Sequence, residues 1–245
     1  MRRISFDPVA QVFDKTRGPP EHVRKQLVDV LAKELIGYKT ILDAGVGTGR
    51  FAKPLQDKEF EVVGIDLSHK MLDVAKEKGT INLLRGDICF LPFKTHSFDV
   101  AICNAVLHLI TEWETALHEI CRVTSNVVVS TIHKHKNPVR EAYSRLLQKY
   151  GYESPRRGKP EHDLKDLVAP LKSTHVASYF VDSEESLAHM SQRAYSHQWE
   201  IPESVNDKII GELTGQFSGR KFTQELSILV WNVDDLRVYL RKRHH

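Results

Sequence analysis

Hydrophobic positions along this chain follow two different periods. From Glu21 to Ile36 the apolar residues Val23, Leu27, Val30, Leu31 and Leu35 recur every three or four positions among Glu, Arg, Lys and Asp. That spacing predicts an amphipathic helix with one buried stripe. Short runs of strand character follow at 41–45 (ILDAG), 60–66 (FEVVGID), 81–87 (INLLRGD), 98–104 (FDVAICN) and 126–131 (NVVVST), each separated from the next by helical spacing. Strands that alternate with helices imply a parallel sheet covered on both faces. Ser68 is placed to cap a helix through Met71, Leu72 and Ala75 that stops at Gly79, and Thr111 with Glu114 reads as a capping box ahead of Ala116, Leu117 and Ile120.

Beyond Thr131 the alternation loosens. A helical stretch at 139–150 precedes the loop ESPRRGKP (153–160) and a short helix through Leu164, Leu167 and Val168. HVASYFVD (175–182) is expected as a sixth strand and LSILVWNV (226–233) as the last. The polar and aromatic segment from Ser183 to Gly219 is expected to be a helical lid inserted between them. LSILVWNV is expected to be the inner strand of a terminal hairpin, which leaves no long apolar edge for a partner and predicts a monomer or weak homodimer.

At 245 residues with 41% apolar content, the chain can bury a substantial core. One domain is expected, with a helical cap at 1–36, a cofactor-binding core at 37–135, a variable lid and substrate region at 136–220, and a terminal strand and tail at 221–245. Cys89, Cys103 and Cys121 lie inside apolar segments without CxxC spacing, so neither a disulfide framework nor a metal site is expected. No stretch has signal-peptide or membrane-spanning character, which predicts a soluble, cytoplasmic protein with no membrane insertion. The net charge of +3, from 35 basic and 32 acidic residues, is too small to imply a nucleic-acid partner, although 13 histidines add positive charge in acid. His244 and His245 are set aside as an expression-tag remnant.

Chemistry concentrates in Asp43-Ala-Gly45-Val-Gly47-Thr-Gly49, which follows a predicted strand and opens a helix. Glycines there allow a sharp turn and a close backbone approach to a ligand, and free N–H groups at the helix start favour an anion. The spacing discriminates among cofactors. A dinucleotide fingerprint needs glycine three positions after Gly47, where Arg50 stands, and no GK[ST] follows to make a phosphate loop. Asp66 ends the next strand, where a carboxylate can accept hydrogen bonds from ribose hydroxyls, and Asp87 ends the one after, within reach of an adenine amino group with Ile88 against the ring. A single strand-end aspartate is often only a turn former; three in succession mark the edge at which open α/β sheets bind ligands.

With these residues in place, positions 10 to 131 resemble the class I methyltransferases of the UbiE-like family. ILDAGVGTG is similar to their motif I, VVGIDLS to their ribose-binding strand end, RGDICFLPF to their adenine segment and FDVAICNAVLHLI to their fourth-strand motif. The resemblance implies a Rossmann-like, doubly wound α/β fold: a mostly parallel seven-stranded sheet with an antiparallel last strand and a helical lid insertion. It also implies S-adenosylmethionine as cofactor, with S-adenosylhomocysteine as product. On that reading Gly45, Gly47 and Gly49 line the methionine part, Asp66 holds the ribose, Leu67 and Met71 pack on the adenine, and Asp87 with Ile88 fixes its edge. Asn104 lies beside the methionine group, and Arg17, in FDKTRGPP, pairs with the cofactor carboxylate. Val46 departs from the small residue frequent at its position.

Methyl transfer from a sulfonium asks the protein for alignment and desolvation, and sometimes for removal of a proton. His108 is the candidate general base, against a purely packing role. In the lid, SQRAYSHQWEIP resembles a segment of small-molecule members, so Tyr195, His197 and Trp199 are expected around the acceptor, with Tyr195 as a second catalytic candidate. The expected activity is methylation of an O, N or C atom of a small-molecule acceptor. The alternative enzyme reading is a tRNA methyltransferase of the wobble-uridine type with RNA as partner, to which the basic clusters Lys134/Lys136, Arg156/Arg157/Lys159 and the terminal RKR would contribute. A non-enzymatic alternative is an inactive cofactor-binding subunit or scaffold.

Overall fold

The computed structural model describes residues 4–135, 137–152, 158–159 and 161–243. Lys136, Arg156, Arg157, His244 and His245 lie outside these residues. Seven strands, β1 (Thr40–Ala44), β2 (Glu61–Asp66), β3 (Leu83–Arg85), β4 (Phe98–Cys103), β5 (Thr124–His133), β6 (Lys172–Asp182) and β7 (Lys221–Asn232), form one sheet in the order β3-β2-β1-β4-β5-β7-β6. Neighbours from β3 to β5 pair in parallel, whereas β7 runs antiparallel to both β5 and β6. All seven expected strands are present, with β7 the inner strand of the terminal hairpin. Its N-terminal end starts at Lys221, five residues earlier than the apolar run suggests, because the polar residues there pair with β6.

The helices are α1 (Phe13–Thr16), α2 (Glu21–Glu34), α3 (Ala52–Gln56), α4 (His69–Glu77), α5 (Trp113–Val123), α6 (Pro138–Lys149), α7 (Glu161–Leu164), α8 (Ser183–Ser191), α9 (Glu203–Phe217) and α10 (Val233–Arg243). One face of the sheet packs Ile41, Val62 and Ile102 against Val23, Leu27 and Leu31 of α2 and Leu55 of α3. Full burial of each such leucine contributes about 1.5–3 kcal/mol, which fixes α2 to the sheet. The other face packs Leu42, Ala101 and Trp231 against Leu117 and Ile120 of α5 and Leu236 and Leu240 of α10. Burial on both sides explains why β1 and β4 read as unbroken apolar runs.

A third cluster, Tyr143 and Leu147 of α6, Leu187 and Met190 of α8, and Ile209 and Leu213 of α9, is the core of the lid. The Tyr143 hydroxyl and the Gln198 side-chain amide both donate to Asn206 Oδ1 at 2.8 Å, so the buried polar groups of the lid tie its helices together. The first 36 residues do two different jobs. The 3₁₀ turn Asp7–Val12 brings Ala10 against Met71 and Val74 of α4, with Phe6 and Phe13 packed on the same cluster, while α2 covers the sheet.

Ser68 caps α4 as expected, accepting from the Met71 N–H at 3.2 Å. The expected box at Thr111 is corrected: residues Leu107–Leu109 form a separate 3₁₀ turn, Glu112 is the N-cap of α5, and no side chain caps it.

Candidate active site

The glycine loop after β1 is tied to β2 by backbone bonds. Gly45 and Val46 N–H both donate to Ile65 O, at 2.9 and 3.0 Å. Gly45 sits at φ +84°, and a Cβ on it would come within 2.9 Å of Val106. Only glycine fits that turn. The Asp66 carboxylate is held from two sides, Oδ2 accepting from Gly47 N–H at 2.9 Å and Oδ1 from Ser68 N–H at 2.8 Å. Burial outweighs these bonds and raises its pKa above the ordinary carboxylate value. Asp43 is wholly buried below the loop. Burial, with the Asp66 charge added, pushes it up to about 7, and its Oδ2 has no partner.

A small cavity of about 80 Å³ opens at the carboxyl ends of β1 to β3. Gly45, Asp66, Leu67, Asp87 and Ile88 line it on the sheet side, with Ile4, Phe6 and Leu109 opposite. Asp87 Oδ1 accepts from Cys89 N–H at 2.9 Å, which fixes the segment that presents Ile88. The sheet edge thus joins carboxylates to apolar walls, the donor set that a nucleoside requires: hydroxyl acceptors at one end and flat apolar contact at the other. Gly47, Gly49 and Met71 are not among the residues that line the small cavity. Gly49 packs on the end of α4, where an added Cβ would meet Thr80 Oγ1 at 2.4 Å; Met71 packs with Ala10 and Val74 and brings its Cε to 3.3 Å from the Cβ position of Gly47; and Val46 packs on Gly64 of β2.

A larger cavity of about 980 Å³ adjoins the first, the two sharing Ile4 and Leu109. Arg17, His108, Tyr195, His197 and Trp199 all line it, so the sequence candidates from both ends of the chain converge. The Arg17 guanidinium lies 4.6 Å from the Phe13 ring centroid, 5.1 Å from Phe6 and 5.5 Å from Tyr195, and Nη2 donates to Ala194 O. Its Nη1 is buried without a partner, and burial lowers its pKa to about 10, which keeps it charged at neutral pH. A buried cation with an unmatched N–H is a receptor for an anion.

Tyr195 stacks on His197 with centroids 5.8 Å apart and ring planes 8° from parallel, and burial pushes His197 down to about 4. His108 faces the cavity with Nδ1 4.0 Å from Glu161 Oε2, while Glu161 Oε1 accepts from the Val106 and Leu107 N–H groups at 2.7 and 2.9 Å. Asn104 serves the sheet: its Oδ1 accepts from both the backbone N–H and the hydroxyl of Thr131, locking the end of β4 to β5.

Sequence reasoning missed Glu161, His133, Arg140, Tyr179 and Gln224. His133 and Tyr179 are joined at 2.8 Å across β7, and all but Glu161 form one side of the larger cavity. No motif links these positions: His133, Tyr179 and Gln224 meet through the pairing of β5, β7 and β6, while Arg140 comes from α6 and Glu161 from α7; the single available hint was polar residues within strand-like runs. Among the described residues no group of His, Cys, Asp and Glu is arranged to hold a metal ion.

Residues 42–129 match the sequence-family model described as a methyltransferase domain. Demethylmenaquinone methyltransferase of Renibacterium salmoninarum is 32% identical over 154 residues, 59% of this chain and 64% of that protein. Malonyl-[acyl-carrier protein] O-methyltransferase of Serratia marcescens is 30% identical over 128 residues, 49% of this chain and 50% of that protein. The chain therefore spans less than two thirds of the length of the curated relatives it matches. A solved SAM-dependent methyltransferase from Thermotoga maritima, 18% identical, superposes over 93% of this chain and 97% of its own with a TM-score of 0.54. That likeness concerns the fold.

Proposed function

We propose that the protein, whose residues 42–129 match a methyltransferase domain model, is a class I methyltransferase that transfers a methyl group from S-adenosylmethionine to a small-molecule acceptor. The observation that carries the reading is the meeting of the two cavities. A nucleoside-type site at the ends of β1 to β3 lies beside a space of a size that suits a small organic molecule, with Ile4 and Leu109 in the walls of both. Bound S-adenosylmethionine supplies an electrophilic methyl group on a sulfonium. Asp66 takes the ribose hydroxyls, exchanging part of its bonding to Gly47 and Ser68, and Leu67, Asp87 and Ile88 hold the adenine. Arg17, at the junction beside Phe6, takes the cofactor carboxylate.

The remaining residues work on the acceptor. His108 is positioned to accept a proton from it, held near Glu161, whose carboxylate is itself fixed by two backbone N–H groups. Tyr195 acts through its ring, as a platform for Arg17 and His197, rather than as an acid or base. The three cysteines are buried and none is disulfide-bonded among the described residues, in keeping with a reducing cytoplasmic setting. No described helix is long and apolar enough to cross a membrane. The aromatic side chains of Tyr195 and Trp199 face into the cavity, which favours a small acceptor over RNA stacked on an open surface. The retention of Gly45, Asp66, Leu67, Asp87 and Ile88 around one cavity favours an enzyme over an inactive scaffold.

Calorimetric titration with S-adenosylmethionine and S-adenosylhomocysteine tests the reading. Micromolar binding that is lost in Asp66→Ala is expected, and absence of binding to either ligand by the wild type would overturn it. Once an acceptor is found, His108→Gln is expected to lower turnover about a hundredfold with cofactor affinity unchanged.

A further inference from the structure

The larger cavity contains more positive charge than the cofactor reading uses. Arg140, in the first turn of α6, points its guanidinium at the Tyr195 ring from 4.0 Å, and Arg17 approaches the same ring at 5.5 Å. Among the described residues neither guanidinium forms an ion pair. Of the carboxylates that line the cavity, Asp14 is engaged with Thr48, Arg50 and Lys78 and Glu161 with the backbone of Val106 and Leu107, while Glu141, Glu185 and Glu200 stand at its wall and form an ion pair with neither guanidinium among the described residues. Burial, and after it the Arg140 charge, disfavours the protonated forms of His133, His189 and His197 around the chamber.

Neutral hydrogen-bonding groups surround this charge. Across adjacent strands stand His133 of β5, Gln224 of β7 and Tyr179 of β6, all lining the cavity. Gln224 is 4% exposed and its side-chain nitrogen has no partner. The buried, unpaired amide nitrogen of Gln224 is costly in an empty protein and favourable once an anion accepts from it, while Arg140, exposed to solvent, supplies the charge. Apolar and aromatic walls, Leu109, Ile132, Tyr195 and Trp199, complete the chamber.

We propose that Arg140, with Gln224 and the His133–Tyr179 pair, binds an anionic group, a carboxylate or a phosphate, on the methyl acceptor. This rests on the methyltransferase reading for the word acceptor; the anion site itself does not. Arg17 packs against Phe6 and Phe13, and Phe6 lines the smaller cavity, whereas Arg140 reaches only the Tyr195 ring, so one cation serves the cofactor and the other selects the substrate.

The test uses benzoate and phenyl phosphate as anionic probes and benzamide as their neutral counterpart, titrated calorimetrically into the protein with and without saturating S-adenosylhomocysteine. At least one anion is expected to bind tenfold or more tightly than benzamide, and the stronger of the two identifies carboxylate or phosphate. Arg140→Gln is expected to erase that preference and Arg140→Lys to retain part of it, with S-adenosylhomocysteine affinity unchanged in both as the check on folding. Anions that bind no better than benzamide, or a preference that survives in Arg140→Gln, would overturn the proposal. Failure of the wild type to bind S-adenosylhomocysteine would instead remove the methyltransferase reading and leave the anion preference to be judged on the ligand-free protein.

Discussion

The two halves of the site are built by different means. Over β1 to β3 the ligand space is shaped by backbone: a glycine turn bonded to Ile65 O, and an aspartate clamped between the Gly47 and Ser68 N–H groups. Over β5, β7 and β6 it is shaped by side chains sent from α6, α8, the lid and three strands, with few bonds among them. A backbone-built site specifies one ligand and tolerates little change, whereas a side-chain-built chamber can be rewritten residue by residue without disturbing the sheet.

The contrast can be broken or sharpened by substitution. The largest effect is expected at Asp66→Ala, which should weaken S-adenosylhomocysteine binding at least about a hundredfold, roughly 2.7 kcal/mol by calorimetry. The same variant should keep the anion preference of the chamber; loss of both together would mean that the halves are not separable. Next comes Gly49→Ala, which places a Cβ at φ +74° and 2.4 Å from Thr80 Oγ1. Urea denaturation should show about 1–3 kcal/mol of lost stability.

Smaller effects belong to the chamber. Tyr195→Ala removes the ring shared by Arg17 and Arg140 and should weaken S-adenosylhomocysteine about fivefold to thirtyfold, as for roughly 1–2 kcal/mol of cation–π contact. Tyr195→Phe keeps the ring and should match the wild type; a large loss in that variant would return the hydroxyl to a catalytic role. The smallest effect is a change of slope. His197 is held near 4, below its ordinary value, so the unfolded chain binds its proton first as pH falls. Wild-type stability should therefore decline through this group from about pH 6.5 toward pH 4, and thermal melts of His197→Gln should show a shallower acid limb.

The same division explains what could be read from the sequence. Strand order, the capping role of Ser68 and the convergence of Asp66, Asp87 and Ile88 follow from short segments whose spacing carries their geometry. Asn104 and Met71 sit where expected along the chain, yet their side chains serve Thr131 and the N-terminal segment, because direction at a strand end depends on neighbours that spacing does not reveal. Thr111 failed as a cap because a 3₁₀ turn, invisible in the apolar period, delays α5 to Trp113. Arg140, Gln224 and Tyr179 could not be found locally at all, since Gln224 and Tyr179 become cavity residues only through pairing between distant strands and Arg140 only through the packing of α6 against the lid.

Strand β7 has a consequence for how the molecule is made. Because it lies between β5 and β6, these two strands share no ladder until residues 221–232 have entered the sheet. On a ribosome, β1 to β5 and the nucleoside edge can assemble while the last strand is still being synthesised. The bond between His133 and Tyr179 then reports completion: the chamber closes last, when the late strand is inserted, and a chain stalled before it would hold the edge of β1 to β3 without the chamber beside β6.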